Sequence, residues 1–211
     1  MNRILIVAVV LVALLSVLPA LAYEYQLSSS AIRDAYFTGT GTKGTDASFY
    51  DAYSRTIPNP AKEPPVSTVT IDTPYLQVAE HSRERPNYHV QDAVDEYFGK
   101  PAKFLVFVDI YFQRPQQRQD LTDNGRLQSA SGSLQGVTIE LKQNRKTIDT
   151  KIVDSWELYP FRDAQTSAEW LGEHVELACD AASIDSSELT IEVRTPEDKH
   201  YEVKFDLAQI K

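Results

Sequence analysis

Cysteine is almost missing from this chain. Cys179 is the single one in 211 residues, so no intrachain disulfide can form. That excludes a small module held by disulfide staples and asks for a hydrophobic core large enough to fold unaided. Cys179 also lies too far along the chain to be a lipid-anchored first residue, and it reads as a small buried apolar group. Positive charge is scarce as well: 21 Lys and Arg stand against 30 Asp and Glu, a formal net charge of −9. With no basic cluster, nucleic acid and anionic lipid are excluded as partners. Three chemical signatures are missing too. There is no His-Glu-x-x-His, no paired-cysteine metal spacing and no Gly-x-Ser-x-Gly turn.

Long apolar runs occur once, at the start. Arg3 precedes apolar residues 4–18, followed by Pro19 and Ala20-Leu21-Ala22. A short basic start, an apolar stretch of about 15 residues and an A-x-A site predict a signal peptide over residues 1–22, cleaved before Tyr23. A spanning helix needs about 20 apolar residues, and this run is shorter and ends in proline. The expected location is therefore outside the cytoplasm, periplasmic or secreted, with no membrane span after cleavage.

The most apolar stretch of the remainder is residues 104–112. Phe104, Val106, Val108, Ile110 and Phe112 alternate with Leu105, Phe107, Asp109 and Tyr111. Side chains of a strand alternate faces, so both faces are apolar and only Asp109 interrupts the second. The reading is a central strand covered on one face by a second sheet and on the other by helices. Around it, the patterns predict helices over 31–37 (Ser28 to Ser30 as caps, Gly39 as stop), 46–55, 74–80 and 89–98, the last with Asn87 as cap. Strands are expected over 66–72, 137–142, 147–153 and around Val175, Leu177 and Cys179. The cleanest pattern is a closing hairpin. Leu189, Ile191 and Val193 face Tyr201, Val203, Phe205 and Leu207, with charged residues outside.

Six or seven strands without a βαβ rhythm give a mostly β fold, an antiparallel β-sandwich of immunoglobulin-like or C2-like kind with short N-terminal helices. The expected organisation is a helical segment over 23–57, a proline-rich linker over 58–65 and the sandwich over 66–211. The opening Ala31-Ile32-Arg33-Asp34-Ala35-Tyr36-Phe37-Thr38-Gly39 resembles the start of exported bacterial proteins of unassigned function, and the resemblance implies no activity.

Several residues invite a chemical reading. Gly39, Gly41 and Gly44 match G-x-G-x-x-G, but no buried strand precedes them, and Lys43-Gly44 reverses the order of a phosphate loop. They read as a turn. Asp120, Thr122, Asn124 and Gly125 resemble the start of a calcium loop, yet the twelfth position is Ser131 rather than a closing glutamate. Ser133 lies in a loop without an elbow around it. Of His81, His89, His174 and His200, only His174 has a ligand-type neighbour at strand spacing, Glu176. Asp109 is either an acid poised for proton transfer or a structural residue, held by an Arg or a backbone N–H or lying where the strand's second face is partly open. Trp156, Tyr159, Phe161 and Trp170 form the expected contact surface, with core packing as the competing reading.

The sequence thus assigns no catalytic or metal residue and no cofactor. It points to an exported, non-enzymatic β-sandwich protein of the cell envelope that binds or supports a protein or polysaccharide. The alternative is an extracytoplasmic hydrolase working through carboxylates, with loop 113–136 as its lid.

Overall fold

A computed structural model describes residues 23–41, 47–57, 67–113, 136–162 and 169–211. The segment 1–22, the linker 58–65 and all but the ends of loop 113–136 lie outside these residues.

Four helices and nine strands are found among the described residues. Helix α1 (Ser29–Gly39) begins where the Ser28 hydroxyl accepts the Ala31 N–H, and ends at the expected glycine. Helix α2 (Ala47–Asp51) is short and gives way to strand β1 (Ser54–Ile57). This corrects the single helix expected over 46–55. The β-branched pair Thr56-Ile57, just before Pro58, favours extended backbone, and pairing with the next strand satisfies it. Strand β2 (Ser67–Asp72) runs into helix α3 (Pro74–Glu84), which Thr73 caps at Leu76 N and which extends a turn beyond the expected end. Helix α4 (Val90–Phe98) is capped by His89, whose N–H is accepted by Asp92. Asn87, the expected cap, instead sits at φ 67° in the preceding turn.

Strand β3 (Lys103–Gln113) is the middle of a five-stranded antiparallel sheet, ordered β1-β2-β3-β7-β6. A four-stranded antiparallel sheet, ordered β5-β4-β8-β9, contains β4 (Thr138–Gln143), β5 (Lys146–Ile148), β8 (Glu188–Arg194) and β9 (His200–Asp206). The hairpin expected across 137–153 is split: β5 closes onto β4, and after Asp149-Thr150 the chain crosses to the larger sheet as β6 (Lys151–Arg162). Strand β7 (Glu169–Asp180) is much longer than the patch around Val175 and pairs with both β3 and β6.

Inward residues of both sheets join one core cluster, from Val69, Phe104, Val106, Val108 and Val175 on one side to Leu141, Leu189, Ile191 and Phe205 on the other. The opposite face of β3 departs from expectation. Leu105, Phe107, Asp109 and Tyr111 are half-buried, and helix α3 reaches this face only near its end, where it buries Asp72. The α1, α3 and α4 helices have a second cluster of their own around Ile32, Ala35, Tyr75, Val78 and Ala93.

The two ends of the described chain meet. Tyr23 is buried edge-on against Phe104, donates its N–H to the Leu207 carbonyl and its hydroxyl to the Ala181 carbonyl. The Lys211 carbonyl accepts from the Tyr53 and Thr73 hydroxyls, and the Lys211 ammonium lies 3.1 Å from Asp34. Strand β1, from the segment read as helical, pairs directly with β2 across the linker.

Candidate functional site

The open face of the large sheet carries one polar–aromatic row. Register places Thr68 of β2 beside Asp109 of β3, Asp109 beside His174 of β7, and His174 beside Trp156 of β6. Four strands thus bring into line residues far apart in sequence. Asp109 Oδ1 is 2.6 Å from His174 Nδ1, a charge-assisted contact at the short end of the usual range. Thr68 Oγ1 reaches Asp109 Oδ2 at 3.5 Å, the outer limit of a hydrogen bond. The Trp156 indole stacks on the imidazole, 3.8 Å between ring centroids and 17° from parallel, while Phe107 stands 6.1 Å away on the other side.

These contacts fix the imidazole. The His174 side chain is 13% exposed, Asp109 is 40% exposed, and the whole Trp156 residue is 48% exposed. With Nδ1 held by the carboxylate, Nε2 is the nitrogen left for a ligand, and among the described residues it has no hydrogen-bond partner. Glu176 and Asp154 form the next cross-strand pair on the same face, so acids border the row on one side, with Gly172 and Leu158 on the other. This arrangement can hold an apolar ring face against the indole and hydroxyl groups against the carboxylates.

It holds only part of a hydrolase. An aspartate orienting a histidine is two thirds of a nucleophilic triad. The third position, a nucleophile at Nε2, is not filled among the described residues: Trp156 stacks on the face of the ring, and no described Ser, Thr or Cys side chain hydrogen-bonds the imidazole.

Of the residues singled out in the sequence, Asp109, His174, Glu176 and Trp156 therefore share one face. Asp109 is partnered by histidine rather than by an arginine or a backbone N–H, and at 40% exposure it lies where the second face of β3 is partly open, the remaining structural expectation. His174 and Glu176 do lie on one face, as strand spacing requires, but no group of three His, Cys, Asp or Glu able to hold a metal occurs among the described residues. The remaining histidines are scattered. His81 is 3.8 Å from Glu96, His89 caps α4, and His200 is 3.3 Å from Glu192 in the small sheet.

Cys179 is buried, and burial pushes its thiol up to about 11, which leaves it protonated and unreactive. Trp170 is buried, unlike Trp156, so the four aromatics do not form one exposed surface; the Tyr159 and Phe161 side chains lie outside the description. So do Lys43, Gly44, the 120–125 loop, Ser131 and Ser133.

Strand β6 is an edge of the large sheet among the described residues, and it exposes Ile152 and Val153 beside Trp156. Its register with β7 shifts between Ile152 and Asp154 and again between Leu158 and Phe161. Such irregularities blunt an edge against unwanted strand addition. Thr68 belongs to the row without having been singled out, since only cross-strand register reveals it, and Phe107 stands in the neighbouring row.

No protein-family model matches the chain, and a comparison with curated proteins finds no match.

Proposed function

We propose that this is an exported, non-enzymatic protein of the cell envelope, that its two sheets pack as a β-sandwich, and that the open face of its large sheet binds polysaccharide. The half-exposed Trp156 indole, stacked on a histidine that Asp109 holds in place, is the observation that carries the reading. An indole offers a flat apolar face with little entropy to lose on binding. Flanking carboxylates suit the hydroxyl groups of a neutral pyranose and repel an anionic polymer, as does the net charge of −9. The single core drawn from both sheets supports the sandwich. The basic–apolar–A-x-A start supports export.

Sedimentation of purified protein with insoluble cell-wall glycans tests the binding. Trp156→Ala is expected to lower retention at least tenfold while costing about 1 kcal/mol or less of stability, because the ring is already half in water. Asp109→Asn is expected to weaken retention less, through a looser imidazole. Retention of Trp156→Ala equal to wild type, or no retention of either protein, sinks the proposal. Export has its own check. N-terminal sequencing of the protein recovered outside the cytoplasm is expected to begin at Tyr23, and an intact Met1 start would overturn the cleavage.

The competing reading, a carboxylate-dependent hydrolase, has the Asp109–His174 pair in its favour and, among the described residues, no nucleophile beside it. Release of soluble sugar by wild type but not by Asp109→Asn would restore it.

A further inference from the structure

A cleft of about 350 Å³ opens between α3, α4 and the start of β3. Its volume sits at the small end of the range that small molecules occupy. One part is apolar: Val78 of α3, Ala93 and the Tyr97 ring of α4, then Ala102 and Leu105. The other part is basic. Lys100 and Lys103 line the cleft, and Arg85 reaches the same carboxylate as Lys100 from just outside it.

That carboxylate, Glu96, is the acid lining the cleft, and it is already committed. It accepts from Arg85 at 2.8 Å, from the Tyr88 hydroxyl at 2.8 Å and from Lys100 at 3.1 Å, with His81 3.8 Å away. Burial works against its ionisation, but the Tyr88 and Lys100 hydrogen bonds and the Arg85 charge outweigh this and bring it down to about 2. Burial lowers the affinity of His81 for a proton, with Arg85 reinforcing it, so the imidazole adds a neutral polar group. Of the other acids on α3, Glu80 and Glu84 are drawn to Arg83. Three cations thus stand beside Glu96, two of them held by it, with Asp180 the cross-strand neighbour of Lys103. Lys103 makes no ion pair among the described residues, and its carbonyl is tied to the Gln77 amide. In a chain with a net charge of −9, a local excess of positive charge beside an apolar wall is out of character with the rest of the surface.

We infer that this cleft binds a small amphipathic monoanion, a carboxylate with a short aliphatic or aromatic body, whose charge lies between Lys100 and Lys103 and whose body covers Val78, Ala93 and Leu105. Glu96 acts as the positioning residue. It holds Lys100 at the rim and prevents a second anion from entering. The assignment does not depend on the polysaccharide reading, which uses residues farther along the same face of β3.

Backbone amide spectra of the ¹⁵N-labelled protein, titrated separately with octanoate, octanol and octylamine, test it. Octanoate is expected to shift the amides of Val78, Ala93 and Leu105 saturably, with octanol at least tenfold weaker and octylamine without effect. The Lys100→Gln/Lys103→Gln double variant should lose at least tenfold for octanoate and keep its octanol affinity. If that variant does not fold, Lys103→Gln alone, which breaks no ion pair, should lose part of the same preference. Equal affinities for octanoate and octanol would remove the anion from the proposal. Shifts confined to the Trp156 region, or none with octanoate at about 10 mM, where even a weak site fills, would end it.

Discussion

Alanine at position 39 is expected to destabilise the protein by about 3 kcal/mol or more, as read from the midpoint of urea unfolding. Gly39 ends α1 where that helix crosses α3, and it is buried there. A Cβ at this position would lie 1.8 Å from the Ala79 carbonyl oxygen and 2.6 Å from its carbon. The obstruction is backbone inside a helix, so no side chain can swing aside. The helices must separate, and with them part of the cluster formed by Ile32, Ala35 and Tyr75. Gly41 provides the control. It has φ of +71° and open space around it, so Gly41→Ala should cost only the conformational penalty of about 1 kcal/mol. Similar midpoints for the two variants would mean that the helices do not meet this closely.

Asp72→Asn is expected to act in the opposite sense, raising stability at neutral pH by about 2 kcal/mol or more. Asp72 is 6% exposed at the end of β2, and its Oδ1 has no hydrogen-bond partner among the described residues. Burial, with Glu80 and Glu176 adding repulsion, holds its carboxyl well above the ordinary range. The folded protein therefore binds this proton more tightly than the unfolded chain does. Stability is undiminished below the unfolded value of about 3.9 and declines as pH rises from there towards the raised folded value. Asparagine has the same shape without that titration, so the gain should shrink towards zero near pH 4 and grow above it. Unfolding curves across pH decide the matter. A variant whose stability follows wild type at every pH would show that Asp72 ionises freely.

The same two positions mark where the sequence could be read and where it could not. Gly39 was legible as a helix stop, and its role as a contact was not, because Ala79 belongs to a helix forty residues later. The apolar alternation of residues 104–112 identified the middle of a sheet, and the hairpin from Leu189 to Phe205 announced itself by charge on one side only. Local patterns of this kind depend on neighbours two residues away. Sheet membership does not. Residues 147–153 alternate well enough for one strand, yet the chain divides them between two sheets. The candidate site suffered most from this. Asp109 looked odd in isolation and His174 looked like a weak ligand. Their 2.6 Å contact follows from a β3–β7 register that spans 65 residues and that neither segment encodes alone. Asp72 was invisible for a similar reason, since a threonine-rich alternating strand gives no sign that a later helix will cover its last residue.

The closure of the described chain on itself has a consequence for its timing. Tyr23 is packed on Phe104 and tied to Leu207, while Tyr53, Thr73 and Asp34 all wait for Lys211. A growing polypeptide in which Leu207 and Lys211 are not yet made lacks these late partners and cannot seal its interior, and such sequence-distant pairings form slowly even once they are made.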